Sequence, residues 1–431
     1  MPSVTVQGAG SVYPTLAAGT NSAIARQASA IISAAATSAV TVTAGGSAPA
    51  PQSPSALLVV NTNSLTSIDY PSSYKFVVVG DTSAPSLALT EASGGALGQE
   101  ILLGTGKIQL TLRDGSGTIV GGDGDKTINL GATSGFAVYT GAGHDTINLT
   151  QSQVSSRSTV EAGAGSSVYN ASGALTQPGN TILLGAGAAQ VRSTGSDSVT
   201  GGAGSATIQV AGGGQDTVTG GSGTLLLVNG AGASSVNFSS VTNAPLSSGS
   251  ITALGGAGGG YYRGGSDGSN LLVGSLGAVT LQGAGNGDVL IAMGNRGMQV
   301  LYAGSGNETL LGSLSTTSNL FVAGPGSNVI FGGSGADTFV AGTGAATITS
   351  GSGADVFMFN AATTAGARIT ITDFAPGVDH VHLVNYAGAN NPGTLSASAV
   401  TLGSAGSRVT LSDGTTITFQ GISAVNSGFF N

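Results

Sequence analysis

The 431-residue chain has no cysteine and no tryptophan, and only 7% of its residues are charged. Lack of cysteine removes disulfides, thiolate metal sites and cysteine nucleophiles together. With aromatic residues at 5%, a platform of rings for stacking sugars is poorly supported. Positive charge is scarcer than negative: 11 Lys and Arg against 19 Asp and Glu give a formal net charge of −8. No basic stripe is available to neutralise phosphates, which argues against a nucleic-acid partner. The stretch 28–44 after Arg26 is weakly apolar but broken by Ser and Thr, so it does not read as a membrane span. Met1 to Val6 lacks the basic and then apolar segments of an N-terminal secretory signal, and an exported chain would need its address elsewhere.

What the sequence does have is 75 glycines, far more than an ordinary domain. Val, Ile and Leu recur throughout, unlike in a disordered linker. The glycines fall in a register. Gly333-Ser334-Gly335-Ala336-Asp337-Thr338-Phe339 and Gly351-Ser352-Gly353-Ala354-Asp355-Val356-Phe357 match place for place. Midway between them, Gly342-Thr343-Gly344-Ala345-Ala346-Thr347-Ile348 repeats the pattern with Ala346 in the acid's place. Such spacing describes a coil with two short strands and two turns. Glycine permits turns with positive φ, and the apolar residue two places after the acid points into a core shared by stacked coils. The expected fold is all-β: a parallel β-roll or β-solenoid with a short N-terminal helical region and a β-rich C-terminal cap.

Five segments follow from composition and pattern. Residues 1–43 form an N-terminal strand and helix arm, in which Ile24, Ala28, Ile31 and Ala35 make one apolar helical stripe; the stripe packs either on the chain's own body or on another copy. Residues 44–56, with Pro49, Pro51 and Pro54, read as a linker, and 57–120 as a β-rich lead-in. Over 121–358 the repeat governs. Gly-x-Asp-x-apolar occurs at Asp145, Asp197, Asp216, Asp337 and Asp355, while elsewhere the acid slot holds Ala206, Leu225, Ser234, Glu308 or Asn328. Asn237 to Thr252 breaks the period and reads as an outward loop. Residues 359–431 form the cap, with strands around Ile369 to Phe374 and Val381 to Val384. A hairpin of Arg408 to Leu411 with Thr416 to Phe419 follows, turned at Asp413-Gly414, and covers open sheet edges.

Carboxylates repeated at one coil spacing in glycine turns suit a hard cation. Calcium takes about six to eight oxygen ligands, and glycine loops can add carbonyls beside each Asp. Gly333, Gly335 and Asp337 with Gly351, Gly353 and Asp355 form the first candidate site. Asp197 with Asp216, and Asp125 with Asp145, are spaced slightly wider than Asp337 with Asp355 and need a bulge to align. The alternative for a lone Asp is a turn closed through its own backbone hydrogen bonds. His380 and His382 share one strand face, with Asp379 pointing oppositely, and read as solvated. Neither His-Glu-x-x-His nor Gly-x-Ser-x-Gly occurs in a suitable setting. No enzyme is expected; an active site would have to be built from residues such as Asp69 or Glu91.

Gly332-Gly333-Ser334-Gly335-Ala336-Asp337-Thr338-Phe339-Val340 fills every place of Gly-Gly-x-Gly-x-Asp-x-apolar-x and resembles the nonapeptide repeat of bacterial RTX proteins. Ile371 to Asp379 resembles the segment that often follows the last such repeat. Thr416 to Ile422 and the ending Gly428-Phe429-Phe430-Asn431 are similar to uncleaved type I secretion signals. The likeness covers 121–431 and is close from Gly332 onward. It implies a calcium-binding parallel β-roll exported through a type I apparatus. Most repeats lack the Asp, so ligands carry over only to the matching loops. The expected function is that of a secreted bacterial structural protein that polymerises into a surface layer or matrix filament. A calcium-dependent adhesin or carbohydrate-binding protein, with a cell-surface polysaccharide as partner and 237–252 as binding loop, is the alternative.

Overall fold

The structure, a computed structural model, describes residues 39–431 except 44, 52–55, 62–64, 84–85, 93–96, 132–134, 151–156, 173–178, 231–233, 238–248, 267–268 and 387–390. The helix expected in the 1–43 arm, with its Ile24 to Ala35 stripe, and most of the loop expected over 237–252 lie outside the described residues. The chain divides into two compact units, 1–223 and 224–431.

Each unit is a parallel β-solenoid in which strands alternate between two sheets. In the first unit one sheet runs from Ala39–Val42 to Thr217–Thr219, every neighbour parallel. The other runs from Gly46–Ser47 to Ala206–Val210. In the second unit the corresponding sheets run from Ser234–Asn237 to His380–Val384 and from Leu225–Val228 to Arg368–Ile371. The coil length varies more than the matched glycine turns suggest. Gln190 lies opposite Thr207, a slightly shorter step than from Asp337 to Asp355, whereas Leu226 lies opposite Thr252, a much longer one. Because register is fixed by the strands, extra residues go into the connections.

Many strands, Leu320–Val322 and Thr338–Val340 among them, are so short that only the middle side chain is buried, as the alternation of a pleated strand requires. Through such strands the core of the second unit narrows to single residues stacked in columns. Leu301, Phe321, Phe339, Phe357 and Val381 form one, each opposite the next and all buried. Identical rings stack where they meet: Phe321 and Phe339 lie 5.1 Å apart at 9°, Phe339 and Phe357 5.2 Å apart at 16°. Offset stacking of this kind adds to area burial.

The strands expected near Ile369 and Val381 are present but lie in opposite sheets, each continuing its own column. The expected hairpin is Ser407–Thr410 with Thr416–Phe419, antiparallel. It docks by Thr416–Phe419 alongside Arg368–Ile371, which covers that sheet's last edge. Asp413 fixes the turn: its Oδ1 accepts the Thr415 N–H at 2.9 Å, and its Oδ2 accepts the Tyr386 hydroxyl at 2.6 Å. Phe374, Phe419, Phe429 and Phe430 pack as an aromatic plug, and the Asn431 N–H donates to the Val381 carbonyl at 3.1 Å. One short helix, Pro392–Ala397, lies in this region.

The reason for glycine differs in part from the expected one. Gly351 and Gly353 do have positive φ, +94° and +141°. Gly333 and Gly335 are required for another reason. A Cβ on Gly335 would lie 2.5 Å from the Thr317 carbonyl oxygen one coil earlier, and one on Gly333 2.5 Å from that of Ser315. Turn backbone rests directly on turn backbone. Gly344→Ala, whose Cβ would meet the Gly326 oxygen at 2.0 Å, should therefore destabilise the protein more than Gly377→Ala. The latter site is open at φ +82°, and its cost is only the left-handed penalty of about 1–2 kcal/mol. Equal losses in chemical denaturation would contradict the stacking argument.

Candidate metal centre

The acids occupy one structural slot, at the point where a turn enters a strand. The backbone N–H of the slot residue is accepted by the side chain in the same slot of the next coil. In the second unit Asp337 Oδ1 accepts the Asn319 N–H at 2.7 Å, Asp355 Oδ1 accepts that of Asp337 at 2.8 Å, and Asp379 Oδ1 accepts that of Asp355 at 3.0 Å. In the first unit Asn180, Asp197 and Asp216 do the same for Ser158, Asn180 and Asp197, at 3.1, 2.7 and 3.0 Å. Burying an N–H without an acceptor is expensive, so the slot must be polar. It need not be charged, which is why Asn and Ser alternate with Asp. One carboxylate oxygen thus bonds to the preceding coil, while the other can close its own turn, as Asp288 Oδ2 does with the Ala284 N–H and Asp379 Oδ2 with the Ala375 N–H, both at 2.8 Å.

Asp337 and Asp355 stand in successive coils, as expected, and both are buried. Asp337 Oδ2 accepts the Gly333 N–H at 2.8 Å, whereas Asp355 Oδ2 is buried without a partner. Burial, together with the neighbouring carboxylates of Asp379 and Asp337, pushes Asp355 up to about 6. An unpartnered, desolvated carboxylate oxygen is what a hard cation such as calcium relieves. The residues fit that ion. Among the described residues no three His, Asp or Glu side chains form a ready cluster, so turn carbonyls would complete the shell.

Asp197 and Asp216 align without the expected bulge, since Ser198 lies opposite Thr217. The Ser193 hydroxyl sits 2.7 Å from both Asp197 Oδ2 and Asp216 Oδ1. It has one proton to donate, so a second proton or a cation is needed to satisfy both carboxyls. Asp216 Oδ2 is buried and unpartnered, and burial raises Asp216 to about 6.

Asp125 and Asp145 do not come together. Thr127 lies opposite Thr146, which puts Lys126 opposite Asp145 and leaves Asp125 on the surface. There its Oδ1 accepts the His144 N–H at 2.9 Å, with His144 Nδ1 at 3.5 Å. Asp145 is buried, accepts the Lys126 N–H at 3.0 Å and is raised by burial to about 6. Asp125 follows Gly124 directly and sits one place before the slot, which Lys126 fills.

Three further residues of chemical interest occupy the slot. Asp379 keeps Gly-x-Asp-x-apolar with Gly377 and Val381, but a longer connection separates it from Asp355 than separates Asp355 from Asp337, which takes it out of the period. Asp288 follows Gly287 directly, so Gly-x-Asp fails, yet its Oδ1 accepts the Asn270 N–H at 2.8 Å. Lys126 fills the acid's place with the opposite charge. Asp69 and Glu91 form no constellation: Asp69 is exposed, Glu91 is buried, and Asp69 lies opposite Thr90 while Glu91 lies opposite Tyr70. His380 and His382 share the outer face of their strand.

The family profile of the RTX calcium-binding nonapeptide repeat (4 copies) matches residues 264–298, 315–348 and 322–357. These segments include Asp288, Asp337 and Asp355 and exclude Asp125, Asp145, Asp197 and Asp216. Comparison with curated protein sequences finds no match to the chain. The matched segments carry RTX repeats, which are calcium-binding, and the β-solenoid around them is consistent with an RTX β-roll protein. RTX repeats in a β-solenoid fit an extracellular calcium-binding structural or adhesin-like protein. No described helix is long and apolar enough to cross a membrane.

Two outcomes follow. Asp355→Asn keeps an oxygen for the Asp337 N–H and should preserve metal-free stability while losing much of the calcium-dependent rise in melting temperature. Asp355→Ala should lose that rise and also about 1–3 kcal/mol of metal-free stability. An Asn variant with an undiminished calcium response would contradict the fit.

The second outcome concerns pH. Asp145, Asp216 and Asp355 titrate at about 6, and Glu308, raised chiefly by burial, at about 7. Unfolded, they would titrate near ~3.9 and ~4.3. Carboxyls raised on folding favour the folded state while protonated, and this is lost as pH climbs through the folded values. Melts in chelator should therefore fall in temperature from about pH 4.5 to about pH 7.5, and a rise over that interval would count against the buried column.

Proposed function

We propose that this is a secreted bacterial structural protein that self-assembles outside the cell into a surface layer or matrix filament. A few calcium ions support it in the solenoid turns. The ions are assigned to Asp337 and Asp355 with the turns Gly333/Gly335 and Gly351/Gly353, and to Asp197 with Asp216. Type I export, a cell-surface or matrix location and a surface polysaccharide as anchor belong to the same reading. So do the five sequence segments, with 359–431 as both cap and export signal.

The observation that carries assembly is the outer face of one sheet in the second unit. Val228, Leu254, Val273, Ile291, Leu311 and Phe331 lie opposite one another in succession. None is buried, and Leu254 and Phe331 are 37% and 39% exposed. The corresponding outer face in the first unit carries Asn129, Asn148 and Asn170, joined side chain to side chain at 2.6 and 2.7 Å. A continuous apolar stripe on an exposed sheet marks a contact surface, and a second copy presents the same stripe.

The test is Leu254→Lys with Phe331→Lys in the full chain, viewed by negative-stain microscopy with and without calcium. The double variant should keep the wild-type β signature and melting behaviour yet fail to form ordered polymers. Normal polymers would remove this face from the reading. Wild-type monomers that bind glycans would favour the adhesin.

A further inference from the structure

Lys126 sits where the repeat calls for an acid. Gly121-Gly122-Asp123-Gly124-Asp125-Lys126-Thr127-Ile128 aligns with Gly332 to Phe339 at the three glycines and the threonine, with Lys126 in the place of Asp337 and Ile128 in that of Phe339. The side chain is fully buried. Its Nζ lies 3.0 Å from the Gly106 carbonyl oxygen, 2.9 Å from that of Asp123 and 2.9 Å from that of Gly124. An ammonium has three protons, and each carbonyl takes one. Gly106 belongs to the preceding coil, and its N–H donates to the Asp123 carbonyl at 3.1 Å, so the ammonium ties two coils together. The cup has no room for a further side chain: a Cβ on Gly124 would lie 2.8 Å from the Gly106 nitrogen. Burial pulls the Lys126 ammonium down to about 8, against the carboxylates of Asp145, Asp123, Asp125 and Asp81, which favour its charge.

We propose that Lys126 is a built-in cation, whose ammonium fills a carbonyl cup spanning two coils and joins them without a metal ion. Vacated, the cup would accept a small cation of the ammonium or alkali class. Gln299 is a neutral parallel in the second unit. Its Nε2 donates to the Ser275 and Gly277 carbonyls at 2.7 and 2.9 Å, again from a slot before a strand. Such residues make their coils independent of calcium by occupying the oxygens themselves. The proposal concerns coils outside the matched repeats and does not depend on self-assembly.

Two measurements on the full chain test it. Lysine acetylation of the folded wild type in chelator, read by mass spectrometry, compares Lys126 with the exposed Lys75 and Lys107. Lys126 should react at least roughly 100-fold more slowly, because reaction waits on local opening. Labelling at the rate of Lys75 would overturn the proposal whether or not any variant folds. In the second measurement, Lys126→Met should melt at a lower temperature than wild type. Ammonium chloride should restore part of the loss, while tetramethylammonium chloride at equal ionic strength should not, and wild type should respond alike to both. A variant that melts like wild type, or gains equally from both salts, would refute the built-in cation.

Discussion

Parallel strands stacked in register place every residue over its counterpart one coil earlier, and the rest of the structure follows from that constraint. Apolar residues over apolar residues make a core of stacked columns, of which Phe321, Phe339 and Phe357 are the clearest stretch. Turns over turns bring main chain onto main chain, closer than a Cβ allows, and the glycine content follows. The residue at the entry to each strand meets its own kind as well. There the chain has to satisfy a buried N–H, and it does so with a polar side chain from the next coil.

That slot has several chemical solutions. Asn180 accepts the N–H of the preceding coil without charge. Asp337, Asp355 and Asp379 accept it equally well but stack carboxylate on carboxylate in a desolvated column. The mutual repulsion is met by protons or by a divalent ion. Lys126 inverts the arrangement and supplies the positive charge covalently. Calcium in this protein is thus an addition to a ladder that the polypeptide already closes.

The period, the parallel solenoid, the alignment of Asp337 with Asp355 and the cap hairpin were all legible in the sequence, because each rests on local spacing. What was hidden depended on how coils sit on one another. Asp197 and Asp216 looked misaligned, yet the extra length enters a connection and leaves the strands in register. Asp125 looked like a ligand because it lies about one coil before Asp145 in a glycine turn, while the register puts Lys126 in the slot. A search for carboxylates would not find a lysine doing the ion's work. The apolar outer stripe from Val228 to Phe331 was also invisible, since its members are unevenly spaced, a full coil apart, and alternate with buried neighbours.

Anomalous scattering from crystals grown in calcium, or in a lanthanide that replaces it, gives the most direct view of the ladder. The account predicts an ion beside Asp355 Oδ2, with Asp337 in its shell, and Asn319 still capped by Asp337. It predicts no ion in the Lys126 cup. Ions spread evenly over acid and non-acid turns, or an ion that has displaced the lysine ammonium, would contradict it.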